Sequence, residues 1–105
     1  MNLHEDILEL SRELNYLWLV TPAPTDATIK KLIDALEALS VDALKKELDE
    51  DSKELRAATK SLAEAITATE KAIADIEKID QAIATSVKVV KGFDKLLGYA
   101  GSLIG

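Results

Sequence analysis

Apolar residues recur every three or four positions along most of this chain, the period of an amphipathic α-helix rather than of a strand. Leu3, Ile7, Leu10, Leu14 and Leu17 follow one another at intervals of 4, 3, 4 and 3. The first segment therefore predicts a helix over 1–20 with one stripe turned inward. Asn2 supplies an N-cap, Glu5 completes a box-like start, and Glu5, Asp6 and Glu9 lie near the positive end of the helix dipole. Residues 21–26 predict a turn, because Pro22 and Pro24 forbid continued helix and bias Thr21 and Ala23 toward extended backbone. A second helix is expected over 27–49, capped by Thr25 or Asp26, with Ile29, Leu32, Ile33, Leu36 and Leu39 on its inner face. At Ser40 the phase passes to Val41, Leu44 and Leu48, so this helix either runs through or breaks where Ser40 could cap a new one. Asp51 and Glu54 resemble a fresh capping box and place a turn near 49–52.

From Ser52 neither glycine nor proline occurs until Gly92. Leu62, Ile66, Thr69, Ile73, Ile76, Asp80, Ile83, Val87, Val90, Asp94 and Leu97 alternate by 4 and 3 without a slip, the spacing of a hydrophobic seam. That spacing predicts one helix over 52–97, roughly 70 Å long at 1.5 Å per residue. Small residues crowd its early half and let a neighbouring helix approach closely. Residues 98–105 form a glycine-rich tail, too rich in glycine for a dependable helix. The expected fold is all-α and single-domain: an antiparallel helical bundle or elongated hairpin, its long C-terminal helix covered by two shorter ones. A break at Gly92, giving four helices, is the main alternative.

Composition narrows the chemistry. The chain has 105 residues, 48% of them hydrophobic, enough for one domain with a core that needs no staples. No cysteine means no disulfide, thiolate zinc site or cysteine nucleophile, and a single histidine excludes any site that needs two. Glu5 and Glu9, like Glu50 and Glu54, stand one helical turn apart, but the Glu-x-x-His pairing of di-metal bundles is absent. A calcium loop from Asp49 fails at Lys53, at the missing glycine and at Lys60. His4, in the first turn of a terminal helix, reads as an exposed and uninvolved side chain rather than a base. The expectation is a protein that is not an enzyme, with no catalytic residue, no metal and no cofactor.

Charge changes the picture of partners. Thirteen bases against 19 acids leave a net charge of −6, which argues against nucleic acid. After residue 80, however, Asp94 is the only acid, against Lys88, Lys91 and Lys95 on one helical face opposite Val90, Phe93 and Leu97. Such a basic amphipathic segment, 86–105, suits a membrane surface or a partner's groove. Candidate contact residues are Trp18, Lys88, Lys91, Phe93, Lys95, Leu97 and Tyr99, although Trp18 reads first as a plug for the end of the core. Asp80 and Asp94 fall on the seam and are candidates for setting register or specificity. The favoured alternative is that the stripe drifts to Ile79 and Phe93.

The function expected is a non-enzymatic interaction protein (an adaptor, chaperone-like binder or inhibitor) acting through helix packing and an acidic surface, with a protein partner, self-association or both. The alternative is a membrane-associated helical protein using 86–105. With no signal peptide and no apolar run long enough to span a bilayer, the expected location is cytoplasmic, leaderless secretion remaining open.

Overall fold

The computed structural model describes residues 3–45 and 51–97. Among them it contains four α-helices and no strand: α1 (Leu3–Val20), α2 (Thr25–Lys45), α3 (Lys53–Ala74) and α4 (Ile79–Leu97), with one turn of 3₁₀ helix at Ile76–Lys78. The all-α class and the bundle are as the periodicity predicts.

α1 and α2 form the first hairpin. Ile7, Leu10, Leu14 and Leu17 meet Ile29, Leu32, Ile33, Leu36 and Leu39 as buried partners, the two stripes read from the sequence. The Thr21 hydroxyl closes α1 by donating to the Leu17 carbonyl at 2.6 Å, which satisfies one acceptor that the last turn leaves free. Pro22 and Pro24 then carry the chain round, with a cis Ala23–Pro24 bond, and α2 begins at Thr25 rather than at 27. It continues through Ser40 without a break. The Ser40 hydroxyl turns back onto the Glu37 carbonyl at 2.7 Å, so it is satisfied inside the helix and caps nothing new. At the open end of this hairpin His4 is half-buried and its Nδ1 lies 2.9 Å from the Ser40 carbonyl oxygen. A carbonyl only accepts, so Nδ1 carries the proton. His4 is thus a tie between α1 and α2, not the uninvolved side chain expected.

The single helix over 52–97 is the principal correction. α3 stops at Ala74, and Asp75 turns extended, φ −145° and ψ 102°. Its backbone N–H still donates to the Lys71 carbonyl at 2.9 Å, while its carboxylate accepts from the Glu77 N–H at 3.1 Å and opens the 3₁₀ turn. A short polar side chain that captures a backbone N–H two residues on is an established way to leave a helix without glycine or proline. Length supplies the larger reason. The four helices have 18, 21, 22 and 19 residues, each about 27–33 Å long, and the body measures 38 × 23 × 18 Å. A rod of twice that length would leave much of its stripe uncovered by α1 and α2, whereas a hairpin of matched arms buries it. Gly92 lies inside α4 and breaks nothing. At the start of α3 the N-cap is Ser52, accepting from the Leu55 N–H at 3.0 Å, rather than Asp51.

α1 packs on α2 and α3, and α4 on α3 and α2, so α1 and α4 stand diagonally opposite. The seven residues 46–52 reach at most about 28 Å, short of the length of α2 and the diagonal together. α3 therefore begins at the end where α2 stops, and both hairpin turns, 21–24 and 75–78, lie at the same end of the bundle. The inner face of α3 is Leu55, Ala58, Leu62, Ala65, Thr69 and Ala72; Ile66 and Ile73 flank it half-buried, as do Ile83 and Val87 on α4. Of the predicted seam, Leu62, Thr69, Val90, Asp94 and Leu97 are buried, whereas Ala65, Ala72, Ala82 and Ser86 take the places expected for Ile66, Ile73, Ile83 and Val87, and Ile76 and Asp80 are exposed. The alanines of α3 bring α4 close: a Cβ on Gly92 would sit 3.7 Å from the Ala58 Cβ, an ordinary van der Waals distance. Gly92→Ala is therefore expected to stabilise the protein by about 0.5–1 kcal/mol, through helix propensity and a less flexible unfolded chain. A melting curve checks it: a rise of roughly 3–6 °C is expected, and a fall would mean that α3 and α4 approach more tightly than this.

Candidate functional site

The candidate contact residues separate on the structure. Lys88, Lys91 and Lys95 are exposed on the outer face of α4, but Phe93 and Leu97 are fully buried. The apolar side of this amphipathic helix is taken up by the core of its own bundle, and the two residues have no outward surface to offer. Tyr99 and the rest of 98–105 lie outside the described residues. Asp80 is exposed in the first turn of α4, away from the seam. Asp94 is 2% exposed, and one carboxylate oxygen, Oδ1, has no hydrogen-bond partner; the Ser86 hydroxyl, two turns earlier, shares that condition.

Trp18 is 37% exposed and borders a surface that the sequence reading passed over. Tyr16, Leu19 and Val20 are 59%, 71% and 55% exposed. Spaced i, i+3 and i+4, they share a side of α1 turned away from Leu10, Leu14 and Leu17. Ile76, in the turn between α3 and α4 at the same end of the bundle, is also exposed. The signal was available: the stripe through Leu14 and Leu17 leaves Tyr16, Leu19 and Val20 off it. The members of the apolar run Leu17-Trp18-Leu19-Val20 look alike by composition, and only the helical phase divides those that enter the core from those that leave it.

Next to these residues the surface turns acidic. Glu13 is one turn before Tyr16 and Glu9 one turn before Glu13, while Glu70 approaches from α3. Partial burial raises the Glu13 carboxyl above its ordinary range, and Glu70 and then Glu9 push it the same way, against Arg12. The sign follows directly. The fold disfavours ionised Glu13, so Glu13 subtracts from stability above its raised pKa, and that penalty disappears as the pH falls through the ordinary carboxylate range. Yet among the described residues no three acid or histidine side chains converge closely enough to hold a metal ion.

A groove of about 850 Å³ runs between α3 and α4 near their turn. Ala63, Thr67 and Ala68 line one side and Gln81 and Thr85 the other, with Glu64, Lys71, Glu77, Lys78 and Asp80 adding charges of both signs. The Thr85 hydroxyl is engaged with the Gln81 and Ala82 carbonyls, at 2.8 and 3.1 Å. No imidazole lines the groove to activate a hydroxyl.

No helix among the described residues is long and apolar enough to cross a membrane. No protein-family model, no curated protein and no solved structure matches this chain.

Proposed function

We infer that this protein is a non-enzymatic interaction module that binds a protein partner by helix packing against an acidic and partly apolar surface. The observation that carries the reading is the exposure of Tyr16, Leu19 and Val20 together on one side of α1 at the turn end. Contiguous apolar side chains facing water cost solubility, and in small proteins such patches mark contact sites. The acidic flank of α1 adds the electrostatic complementarity that selects and steers a partner. The membrane alternative draws less support, because Lys88, Lys91 and Lys95 offer charge while Val90, Phe93 and Leu97 are buried, and three lysines at an anionic surface contribute only about 1 kcal/mol each.

The test is purification of the tagged protein from its native host at moderate ionic strength, with light scattering to measure the mass. A second protein in fixed stoichiometry supports the reading. Recovery of the chain alone, together with turnover in small-molecule activity screens, would replace it with an enzyme.

A further inference from the structure

We propose that the α1 face at the turn end docks a basic amphipathic helix of a partner protein, its apolar stripe on Tyr16, Leu19 and Val20 and its lysines or arginines beside Glu9, Glu13 and Glu70. This rests on the interaction reading above and assigns it a surface and a partner chemistry. Tyr16, Leu19 and Val20 cover about one turn of helix, and the carboxylates begin one turn below them. A matching segment must therefore be apolar along one stripe and cationic beside it, which is the pattern of helix-in-groove ligands. Glu13 lies one turn from Glu9 on α1 and near Glu70 of α3, and both carboxylates add to the effect of burial in disfavouring its charge. Arg12 is the only lysine or arginine on α1 and the one group that offsets this effect on Glu13, so cations from outside add favourable charge beside it.

Other occupants fit worse. A second copy would have to offer its own basic face, but the apolar residues behind Lys88, Lys91 and Lys95 are buried, leaving nothing for Leu19. An anionic membrane would accept the apolar residues and repel the acids around them.

Trp18, the only tryptophan of the chain, stands at the edge of this face and reports on it without a label. The probe is a synthetic Leu/Lys peptide of about 18 residues, long enough to form a helix on binding, titrated into the full-length protein while Trp18 emission is followed. A peptide with glutamate at every lysine position and vesicles containing anionic lipid serve as comparisons. The lysine peptide is expected to shift the emission and to bind at least about 10-fold more weakly when salt rises from about 0.05 to 0.5 M. A similar loss of about 10-fold is expected for Tyr16→Ser/Leu19→Ser, and for Glu9→Gln/Glu13→Gln/Glu70→Gln. Every position changed is exposed except Glu13, which is only half-buried, and circular dichroism should show unaltered helix content. Neutralising Glu54, Glu64 and Glu77 removes the same charge elsewhere and should leave affinity unchanged.

Equal binding of the two peptides, equal losses in the Glu54/Glu64/Glu77 control, or an emission shift with vesicles but not with the lysine peptide would overturn the proposal. So would a host partner that co-purifies equally well with Tyr16→Ser/Leu19→Ser, and that result would leave the broader interaction reading intact. Peptide binding with no partner recovered from the host would instead count against the broader reading while upholding the surface.

Discussion

Phe93→Ala is expected to destabilise the protein by about 3–5 kcal/mol, enough to leave a domain of ordinary stability marginal or unfolded at room temperature. Phe93 is the only phenylalanine, is fully shielded from solvent and heads the buried side chains by volume. It lies on α4 with Val89, Val90 and Leu97 on the same buried side, facing an α3 on which half of the buried positions are alanine. Alanines have almost no side chain with which to close a cavity, so little relaxation can offset the loss. Urea unfolding followed by helical circular dichroism measures the cost. A change below about 1 kcal/mol would mean that the ring lies at a surface after all. The half-buried Ile73 and Ile83, which the uninterrupted seam would make the most sensitive positions, should prove less sensitive than Phe93 to the same truncation, because part of each side chain already meets water.

The contrast between Phe93 and Ile73 shows what was legible in the sequence and what was not. Periodicity identified the inner faces of α1 through Leu17 and of α2 from Ile29 to Leu39, because Pro22 and Pro24 fix where one stripe stops and the next starts, but the shift expected at Val41 and Leu44 does not occur: both are exposed. In the second half no such punctuation exists. The 4-3 alternation runs on through Ile76, which sits exposed in the turn, and it holds at Leu62, Thr69, Val90, Asp94 and Leu97 while missing by one residue at Ile66, Ile73, Ile83 and Val87. The break depends on one aspartate, Asp75, whose carboxylate caps the new turn. Aspartate is so common on helix surfaces that this role is visible only once the length of the covering helices is weighed. The surface at the turn end was hidden for a related reason. Tyr16, Leu19 and Val20 belong to an apolar run, and only the helical phase set by Leu14 and Leu17 separates the side chains that enter the core from those that leave it. The basic face of α4 was read correctly as a face; that its apolar half is turned into the bundle depended on α3 folding back beside it.

Asp94→Leu is expected to do the opposite of Phe93→Ala and raise stability by about 1–3 kcal/mol. A carboxylate with 2% exposure and an oxygen without a hydrogen-bond donor gives up hydration without recovering it from the protein. Leucine has a similar branched shape and would add its own burial to the core that Val90, Phe93 and Leu97 already form. Asp94→Asn separates the two contributions: it removes the charge but keeps a polar group in an apolar setting, so its gain should be the smaller of the two. Chemical denaturation of both variants beside the parent decides the matter, and light scattering on the same samples shows whether assembly changes with stability. A clear loss of stability in Asp94→Leu would show that the carboxylate is held by a donor and belongs to the architecture. A gain accompanied by a change of mass would show instead that Asp94 restrains how these helices pair, the part that a single polar residue plays on a coiled-coil seam.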